Sequence, residues 1–533
     1  MASLLGGDLV DRWNSTTAAY PDTSCLQDLF WAQARKTPSA VAIDDPGQAL
    51  RLTYAEVDDL TDRLACVLFS RFGVRPDSVC AIFMERSAEF VLAYVAILKA
   101  GGAYMPLELV YPKGLLSRAI RQTQCPVVLT KSKFVERLPA VPAASSSTFA
   151  AFLLDGPASV PAAADLPPGS VYPIPQGGFD PRPHPENLAF VVMSSGTTGQ
   201  PKAICQVHRS AVHSYHDRFE RFPYCQVEDR VDDRVGAGVF FVWEMMRPLL
   251  RGATCTTIPN DVLFDPQACT QFILDHGITR ILFTPSLLQL IMDSVAPAEV
   301  ARRLAGLRML WLCGEVVTTE LAQSFTSILP DCELLNLYSI SECHDATIGD
   351  LKRDLDPARK YATCGKNIPN VRVYVVKVEE TGDPHRPHLQ RLAPGEAGEV
   401  FVGGPVLARE YLEMPEKTAS RFVANPFSRG DPYDVASQRL YRTGDMGRVL
   451  PGTGELEIIG RCDFMVKIRG YSVVLGAVES AVGKHPMLAS AVAITEGDEG
   501  TDKRVVCYVV PKVWENPPSA ANLRVFLKDH LPP

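Results

Sequence analysis

Short apolar runs alternate along the chain with longer segments whose apolar positions recur at helical spacing. The runs at residues 78–84 and 126–130 have the length and β-branched content of buried strands. Residues 53–72 and 88–100 repeat their apolar positions every three to four residues, as helices do. The pattern therefore predicts strands and helices in alternation.

The same alternation continues further along the chain. Strand-like runs occupy residues 188–193, 280–284, 307–314 and 333–338. Segments of helical length occupy residues 266–276 and 319–329. Strands that alternate with helices favour parallel sheets covered by helices, so the expected fold class is α/β.

Two segments depart from this pattern. Residues 139–185 are rich in Pro, Ala and Ser, which predicts an irregular surface excursion. Near Gly460 the pattern changes to that of a compact α+β tail. We therefore expect a large body of helix-covered sheets followed by a small C-terminal unit.

The composition narrows the class of protein. With 533 residues the chain exceeds one ordinary core, and 46% hydrophobic and 21% charged residues are typical of a soluble globular protein. The net charge of −8 gives no indication of a nucleic acid or an anionic membrane as partner. The 14 cysteines show no zinc-type spacing, and the first residues lack the pattern of a secretory signal. These features predict a cytoplasmic enzyme.

Residues 194–202 read Ser-Ser-Gly-Thr-Thr-Gly-Gln-Pro-Lys directly after a strand-like run. Glycines let backbone N–H groups approach phosphate oxygens, hydroxyls donate hydrogen bonds, and lysine adds positive charge. The segment is not a Walker loop, because Ala203 follows the lysine where that motif has Ser or Thr. The sequence predicts a phosphate-binding loop made of Ser194, Ser195, Gly196, Thr197, Thr198, Gly199 and Lys202.

Five further segments accompany this loop. They are residues 99–107 (KAGGAYMPL), 336–342 (NLYSISE), 403–412 (GGPVLAREYL), 441–445 (YRTGD) and 460–470 (GRCDFMVKIRG). Together with the loop they resemble, in order, the core motifs of adenylate-forming enzymes. The resemblance extends from about residue 25 to the last residue and is strongest to the adenylation domains of nonribosomal peptide synthetases.

The resemblance implies a fold of two parts. Residues 1–460 would form a large N-terminal subdomain of helix-covered sheets. Residues 461–533 would form a small α+β lid that moves about a hinge at Asp463. The active site would lie in the crevice between them.

The resemblance also implies a two-step reaction with ATP and Mg²⁺ as cofactors. A carboxylate attacks the α-phosphate of ATP to form an acyl-adenylate, and a phosphopantetheine thiol on a carrier domain then takes the acyl group. The implied catalytic residues are Glu342, which also binds the metal, and Lys202, Thr197 and Thr198. The implied nucleotide-binding residues are the loop together with Gly314, Glu315, Asn336, Leu337, Tyr338, Ser339, Ser341, Asp445 and Arg461. Among these, Tyr338 would flank the adenine, Asp445 would bind both ribose hydroxyls, and Arg461 would contact the ribose or a phosphate.

The acyl pocket departs from the pattern of members that activate amino acids. Those members carry an aspartate in a segment resembling "FDxSVWE", and its carboxylate pairs with the substrate ammonium. Here residues 238–244 read GVFFVWE, which puts Val239 at the aspartate position. Because unpaired ammonium donors would cost roughly 1–3 kcal/mol, an ordinary α-amino acid is not expected.

Carried over position by position, the pocket lining is Val239, Phe240, Trp243, Leu282, Trp311, Cys313, Leu337, Asp345 and Ala346. Aromatic faces attract cations by roughly 0.5–2 kcal/mol each, and a trimethylammonium group has no N–H to satisfy. Asp345 would supply a longer-range countercharge. This mixture predicts a small betaine, glycine betaine first, as the substrate. The alternative is a pocket for an aryl or apolar acid, with Asp345 turned to solvent.

This lining is similar to that of fungal synthetase-like carboxylate reductases that act on glycine betaine. In that family a carrier domain and reductase domains follow the adenylation domain, so they are the expected partners. Two other functions remain open. One is an acyl- or aryl-CoA ligase, and the other is a non-catalytic ligand-binding module of the same fold.

The family's last core motif carries a lysine that contacts the substrate carboxylate and the α-phosphate, after a segment resembling "LPxYMxP". The sequence ends with His530, Leu531, Pro532 and Pro533, before that lysine. We therefore expect a truncated chain that binds ATP and the acid but forms adenylate slowly.

Overall fold

The computed structural model of the chain describes residues 10–139, 149–174, 178–194, 202–227, 230–379, 383, 387–428, 438–462, 465–468, 471–496 and 504–528. Its strands are β1 (Val41–Asp45), β2 (Leu50–Thr53), β3 (Val79–Phe83), β4 (Ala103–Pro106), β5 (Val127–Thr130), β6 (Ala150–Leu153), β7 (Leu188–Ser194), β8 (Lys202–Val207), β9 (Gln226–Val227), β10 (Arg230–Val231), β11 (Arg234–Ala237), β12 (Thr254–Thr257), β13 (Arg280–Phe283), β14 (Met309–Cys313), β15 (Glu333–Ile340), β16 (His344–Asp350), β17 (Lys366–Asn367), β18 (Arg372–Glu379), β19 (His388–Arg391), β20 (Gly398–Gly403), β21 (Glu410–Tyr411), β22 (Phe422–Ala424), β23 (Arg439–Val449), β24 (Leu456–Arg461), β25 (Met465–Ile468), β26 (Tyr471–Val474), β27 (Leu488–Glu496) and β28 (Arg504–Pro511).

Helices connect and cover these strands. The α-helices are α1 (Leu26–Lys36), α2 (Tyr54–Phe72), α3 (Ala88–Lys99), α4 (Lys113–Gln122), α5 (His208–Arg221), α6 (Phe241–Glu244), α7 (Met246–Leu249), α8 (Asn260–Leu263), α9 (Pro266–Asp275), α10 (Pro285–Ser294), α11 (Pro297–Arg303), α12 (Thr319–Ile328), α13 (Pro415–Arg421), α14 (Leu475–Gly483) and α15 (Ala520–Lys528). Short 3₁₀ turns lie at Pro46–Gln48, Ser132–Arg137, Pro157–Ser159 and Ala163–Asp165. Every strand and helix predicted from the apolar pattern is present, with ends that differ by a few residues at most.

The largest sheet has nine strands in the order β17-β16-β15-β14-β13-β11-β12-β1-β2. Its centre, from β15 to β1, is parallel, and β2, β16 and β17 add antiparallel edges. A second sheet has seven strands in the order β21-β8-β7-β4-β3-β5-β6 and is parallel from β7 to β6. These two sheets confirm the predicted α/β class.

A third sheet is antiparallel and lies in a part of the chain where the apolar pattern predicted no individual strands. Its strands run β19-β18-β20-β23-β22, with β24 also paired to β23, and all the pairs are antiparallel. The long strand β23 pairs along both edges and carries Asp445, while Arg461 ends β24. Hairpin-like connections need no crossover helix, so this part of the chain adds an antiparallel sheet to the α/β body.

The prediction for residues 139–185 was wrong in part. Strand β6 pairs in parallel with β5 and extends the seven-stranded sheet by one strand. Further along, Leu154, Val160, Ile174 and Phe179 are buried. The apolar residues at positions 149–154 form a strand that pairs with the otherwise open sheet edge at β5, although Pro, Ala and Ser dominate the surrounding composition.

The main core lies around helix α3, whose residues are all buried. A helix that is apolar on every side has no face suited to solvent, so it packs within the protein. Its last residue, Lys99, is buried too, and its Nζ lies 2.5 Å from Asp58 and 2.6 Å from Asp62. Two carboxylates therefore compensate the one cation of this helix.

The C-terminal elements form a small core of their own. Strand β25 pairs with β26, β27 pairs with β28, and Leu475, Val478 and Val482 of α14 pack on β27. The proposed hinge residue Asp463 lies outside the described residues, and the division into residues 1–460 and 461–533 stays a prediction. No helix in the described part of the chain has both the length and the apolar character needed to cross a membrane.

Candidate active site

The predicted phosphate loop connects β7 to β8, and Ser194 and Lys202 face each other where the two strands meet it. Residues 195–201, which hold the predicted Ser195, Gly196, Thr197, Thr198 and Gly199, lie outside the described residues. The Nζ of Lys202 lies 5.2 Å from the centre of the Tyr411 ring. Burial lowers the pKa of Lys202, and the nearby Glu342 opposes that shift. The lysine is therefore held at the base of the loop, beside the predicted metal ligand.

Glu342 is buried, and its Oε1 accepts a hydrogen bond of 2.8 Å from the hydroxyl of Tyr411. Its backbone carbonyl accepts a second bond, of 2.8 Å, from the N–H of Ala408. Residues 336–342 and 403–412, which are far apart in sequence, thus lie against each other. Burial and the nearby Glu342 carboxylate raise the pKa of Tyr411, so the hydroxyl keeps its proton and remains a donor.

The surroundings of Glu342 fit Mg²⁺. No group of three or more His, Cys, Asp or Glu side chains is arranged to hold a metal in the described ranges. Mg²⁺ does not require such a cage, because it keeps several waters and binds one or two carboxylates together with substrate phosphates. A single oxygen ligand beside a phosphate loop is sufficient for that mode.

Tyr338, Asp445 and Arg461 form a connected group at the end of β15. The Tyr338 hydroxyl donates a hydrogen bond to Asp445 Oδ2, and Arg461 Nη1 lies 2.9 Å from Asp445 Oδ1. Burial and the adjacent Asp445 carboxylate raise the pKa of Tyr338 well above its usual value. The predicted adenine and ribose residues therefore lie side by side.

The other residues predicted from the 336–342 motif hold the strand end in place. Asn336 is buried and donates a hydrogen bond of 2.8 Å to the backbone carbonyl of Thr363. The carbonyl of Ser341 accepts a bond of 2.6 Å from Gln206 Nε2. Ser339 pairs with β16 next to a bulge that follows Tyr338.

Gly314 and Glu315 follow directly after β14. Gly314 has φ +92°, a left-handed conformation suited to glycine, and a Cβ there would lie 3.4 Å from the ring of Phe240. Glu315 accepts hydrogen bonds of 2.9 Å from both the N–H and the hydroxyl of Ser286, in the first turn of α10. The tight turn thus lets the end of β14 pass close to Phe240, a residue of the predicted acyl pocket.

Six of the nine predicted pocket residues lie in one apolar cluster. Leu282 is the register partner of Trp311, and Cys313 is the partner of Leu337. The cluster members from the predicted lining are Leu282, Trp311, Cys313, Leu337 and Ala346, with Phe240 packed against them. The parallel strands β13, β14 and β15 therefore supply the floor of the predicted pocket.

Phe240 and Trp243 form the wall of the predicted pocket, although Trp243 packs against a different apolar cluster from that of the floor. The rings of Phe240 and Trp243 lie edge to face, 6.2 Å apart, and both side chains are partly exposed. Val239 is partly exposed and packs against a neighbouring apolar cluster, not against the cluster that forms the floor. The wall carries no charged side chain at position 239.

The structure corrects both expectations for Asp345. The residue is 2% exposed, so it is not turned to solvent, and its carboxylate is not left free as a countercharge. Its Oδ2 lies 2.8 Å from Arg218 Nε, 3.5 Å from Arg247 Nη2 and 3.2 Å from Ser214 Oγ. Burial alone would raise the pKa of Asp345, but the two guanidinium groups outweigh it and hold that pKa well below its ordinary value.

Arg218 and Arg247 were not predicted from the sequence, nor was the contact that Tyr411 makes. Arg247 and Glu244 stand three residues apart within the otherwise apolar residues 241–250, a signal that could have suggested a buried ion pair. Tyr411 lies in a motif that was recognised, but no spacing rule connects it to Glu342.

Comparison with known proteins agrees with this geometry. The family model described as "AMP-binding enzyme" matches residues 30–412. A protein named glycine betaine reductase ATRR, from Emericella nidulans, is 39% identical over 497 residues, which are 92% of this chain and 35% of that protein. A dimodular nonribosomal peptide synthase from Bacillus subtilis is 31% identical over 98% of this chain and 21% of its own length. The chain thus spans about a third or less of these relatives.

A solved structure, the nonribosomal peptide synthetase FmoA3 (S1046A) in its AMPPNP-bound form, superimposes with a TM-score of 0.70. It is 28% identical, and the match covers 86% of this chain and 45% of that one. A family match over more than half of the chain agrees with the fold and with the residues around Tyr338 and Glu342. The chain belongs to the AMP-binding enzyme family, as an adenylate-forming domain of the nonribosomal peptide synthetase type.

Proposed function

We propose that the chain activates a small quaternary ammonium acid, glycine betaine first, as its acyl-adenylate. A carboxylate oxygen forms a bond to the α-phosphorus of ATP while the bond to the departing pyrophosphate breaks. The thiol of a carrier-bound phosphopantetheine, as its thiolate, then attacks the acyl carbon, and AMP leaves. In the full protein, reductase domains would take the resulting thioester.

The nucleotide end of the proposal rests on four side chains. Lys202 would contact the phosphates, and Glu342 would hold Mg²⁺, which neutralises phosphate charge when it is bound. Tyr338 would flank the adenine, and Asp445 would accept from the ribose hydroxyls. Such chemistry depends on positioning and electrostatic stabilisation, so preorganised contacts such as Tyr411 to Glu342 are what it requires.

One observation carries the choice of acid. The wall of the acyl pocket offers two aromatic rings, Phe240 and Trp243, and no carboxylate at position 239. An ammonium with N–H groups would lack an acceptor there, whereas a trimethylammonium group needs none. The printed name of the 39% identical relative, glycine betaine reductase, supports the same acid and the downstream reduction.

A second candidate is favoured by the pairing of Asp345. Since Arg218 and Arg247 already neutralise its carboxylate, a neutral branched or aromatic acid also suits an aromatic pocket without net charge. In that case the chain would act on an apolar acid, with a carrier or free coenzyme A as the thiol. The two candidates differ by a single charge on the acyl group.

A matched pair of acids tests this difference. Glycine betaine and 3,3-dimethylbutanoate have the same shape, but the first carries N⁺ where the second carries carbon. We expect adenylate formation, measured as hydroxamate, to favour glycine betaine about tenfold in kcat/KM, the order that cation–π contacts supply. Equal or better use of 3,3-dimethylbutanoate would favour the second candidate.

Two controls complete the assay. Glycine carries an ammonium group that would find no acceptor at position 239, so it should be activated poorly. The thiol acceptor is identified by comparing free coenzyme A with a phosphopantetheinylated carrier. Nucleotide binding without adenylate formation from any acid would indicate the non-catalytic module.

A further inference from the structure

Four charged side chains form a closed cluster behind the acyl pocket. Arg218 contacts Asp345 and also lies 3.6 Å from Glu244, while Arg247 pairs with both acids as well. Each of these side chains is 6% exposed or less. Two cations and two anions in mutual contact leave the cluster without net charge.

The cluster lies directly against the pocket through one ring. The guanidinium of Arg218 lies over Trp311, 4.4 Å from the ring centre, and the edge of Phe222 approaches the same indole with centroids 4.9 Å apart. A small cavity beside the ring is lined by Trp311 together with Arg218, Glu244, Arg247 and Arg280. Arg218 therefore covers one face of Trp311, a residue of the predicted pocket lining.

Other charged groups around the cluster are paired: Arg280, which lines the same cavity, with Asp233, and Asp217 with Arg221. Tyr215 lies under Arg247, whose guanidinium is 4.8 Å from the ring centre, and burial raises the pKa of its hydroxyl to about 12. Burial lowers the pKa of the adjacent His344 to about 3, so this imidazole is neutral near pH 7. Ser214 contributes a hydroxyl to Asp345.

We propose that Arg218 and Arg247 are specificity-determining residues. They neutralise the negative charges of Asp345 and Glu244, so that the acyl group is recognised by aromatic faces and meets no net charge. The proposal rests on the proposed function, because it concerns the same acyl pocket. Although neither arginine belongs to the lining, each would set the electric potential that a cationic acid meets. A change of one charge in this cluster should alter the choice between acids of equal shape.

The test measures one ratio, kcat/KM for glycine betaine over that for 3,3-dimethylbutanoate. Arg218→Met leaves the cluster at −1 and should raise the ratio by about tenfold, the order that one charge about 12 Å away produces at an effective dielectric constant near 20. Asp345→Asn leaves it at +1 and should lower the ratio by a similar factor. The change should appear mainly in KM, because the cluster acts on binding of the acyl group.

The double variant Arg218→Met/Asp345→Asn restores neutrality and should return the ratio to within about threefold of the starting value, since the two opposite charge effects then cancel. Loss of packing alone would move both single variants in one direction and would not be rescued. If Arg218→Met fails to fold because it leaves Asp345 less compensated, Asp345→Asn and the double variant still decide the question. A matched control is Arg302→Gln, at an exposed arginine paired with Glu299, which should leave the ratio unchanged.

Two outcomes overturn the proposal. Either both single variants leave the ratio unchanged, or both shift it in the same direction, while the unaltered protein still activates glycine betaine. Failure of the proposed function is visible separately, because the unaltered protein would then activate neither acid of the pair. That result would overturn both proposals.

Discussion

The hydroxyl of Tyr338 donates a hydrogen bond to Asp445, and this bond joins the nine-stranded sheet to the antiparallel sheet. Both residues are buried, and the N–H of Asp445 donates to Thr443 Oγ1 over 2.9 Å. The two groups proposed to meet adenine and ribose are thus fixed relative to each other. Such preorganisation reduces the ordering cost of nucleotide binding.

The first prediction concerns the ribose. Asp445→Asn should raise the KM for ATP at least tenfold, because charge-assisted hydrogen bonds to the ribose hydroxyls contribute about 1.5–3 kcal/mol. It should also reduce the preference for ATP over 3′-deoxy-ATP, as steady-state kinetics with both nucleotides would show. The melting temperature of the variant, compared with that of the unaltered protein, shows whether loss of the contact with Arg461 destabilises the fold. If the unaltered protein used both nucleotides equally well, Asp445 would not be the ribose ligand.

The second prediction separates the metal ligand from the residue that positions it. Glu342→Gln should lower kcat by about 10²–10³ and raise the Mg²⁺ concentration needed for half-maximal rate, since the metal loses its protein carboxylate. Tyr411→Phe removes one hydrogen bond to that carboxylate and should cost only a few-fold. Magnesium titrations of both variants provide the measurement. An unchanged magnesium midpoint in Glu342→Gln would contradict the assignment.

The third prediction concerns position 239. Val239→Asp should increase kcat/KM for glycine relative to glycine betaine by at least tenfold, because the new carboxylate accepts from the ammonium N–H groups. Val239→Asn is the matched control of nearly equal size without charge. Hydroxamate assays with glycine and glycine betaine measure this ratio of kcat/KM values. Equal ratios in the two variants would mean that position 239 does not face the substrate nitrogen.

The fourth prediction is a pH dependence of stability. Burial lowers the pKa of His208 and of His344 to about 3, from an ordinary value of 6.5. Between those values the unfolded chain binds more protons than the folded one. The free energy of unfolding should therefore fall as the pH drops below 6.5, by up to about 1.4 kcal/mol per pH unit for each histidine, whereas above 6.5 neither contributes.

Urea unfolding at pH 7, 6 and 5 measures this slope. His208→Asn keeps an acceptor for the N–H of Leu26, which donates to His208 Nδ1 over 3.2 Å, but it removes the titration. The slope should decrease by the contribution of one proton in this variant. A slope identical to that of the unaltered protein would exclude His208 as its source.

Much of the fold could be predicted because its helices and parallel strands have strong local patterns. The buried helix α3 and strand β14 are examples, since an apolar run of defined length leaves few alternatives. The antiparallel strand β23 was missed, because Arg439–Val449 mixes charged and apolar residues on a partly exposed sheet. Its pairing partners in β20 lie 37 to 49 residues away in the sequence, so no local pattern indicates the pairing.

The candidate site could be predicted where a motif holds its residues together, and less well where contacts cross the chain. Tyr338 and Glu342 lie in one motif, so their proximity follows from sequence. Arg218 and Asp345 are separated by 127 positions, and only the packing of α5 against β16 brings them together. The charge state of the acyl pocket therefore depended on tertiary structure.

The most direct test of the account is a structure of the protein with AMPPNP, Mg²⁺ and glycine betaine. We expect the adenine against Tyr338, the ribose hydroxyls within hydrogen-bond distance of Asp445 and the metal on Glu342. The trimethylammonium group should lie against Phe240 and Trp243, with Arg218 still over one face of Trp311. A nucleotide bound away from both Tyr338 and Asp445 would contradict the account.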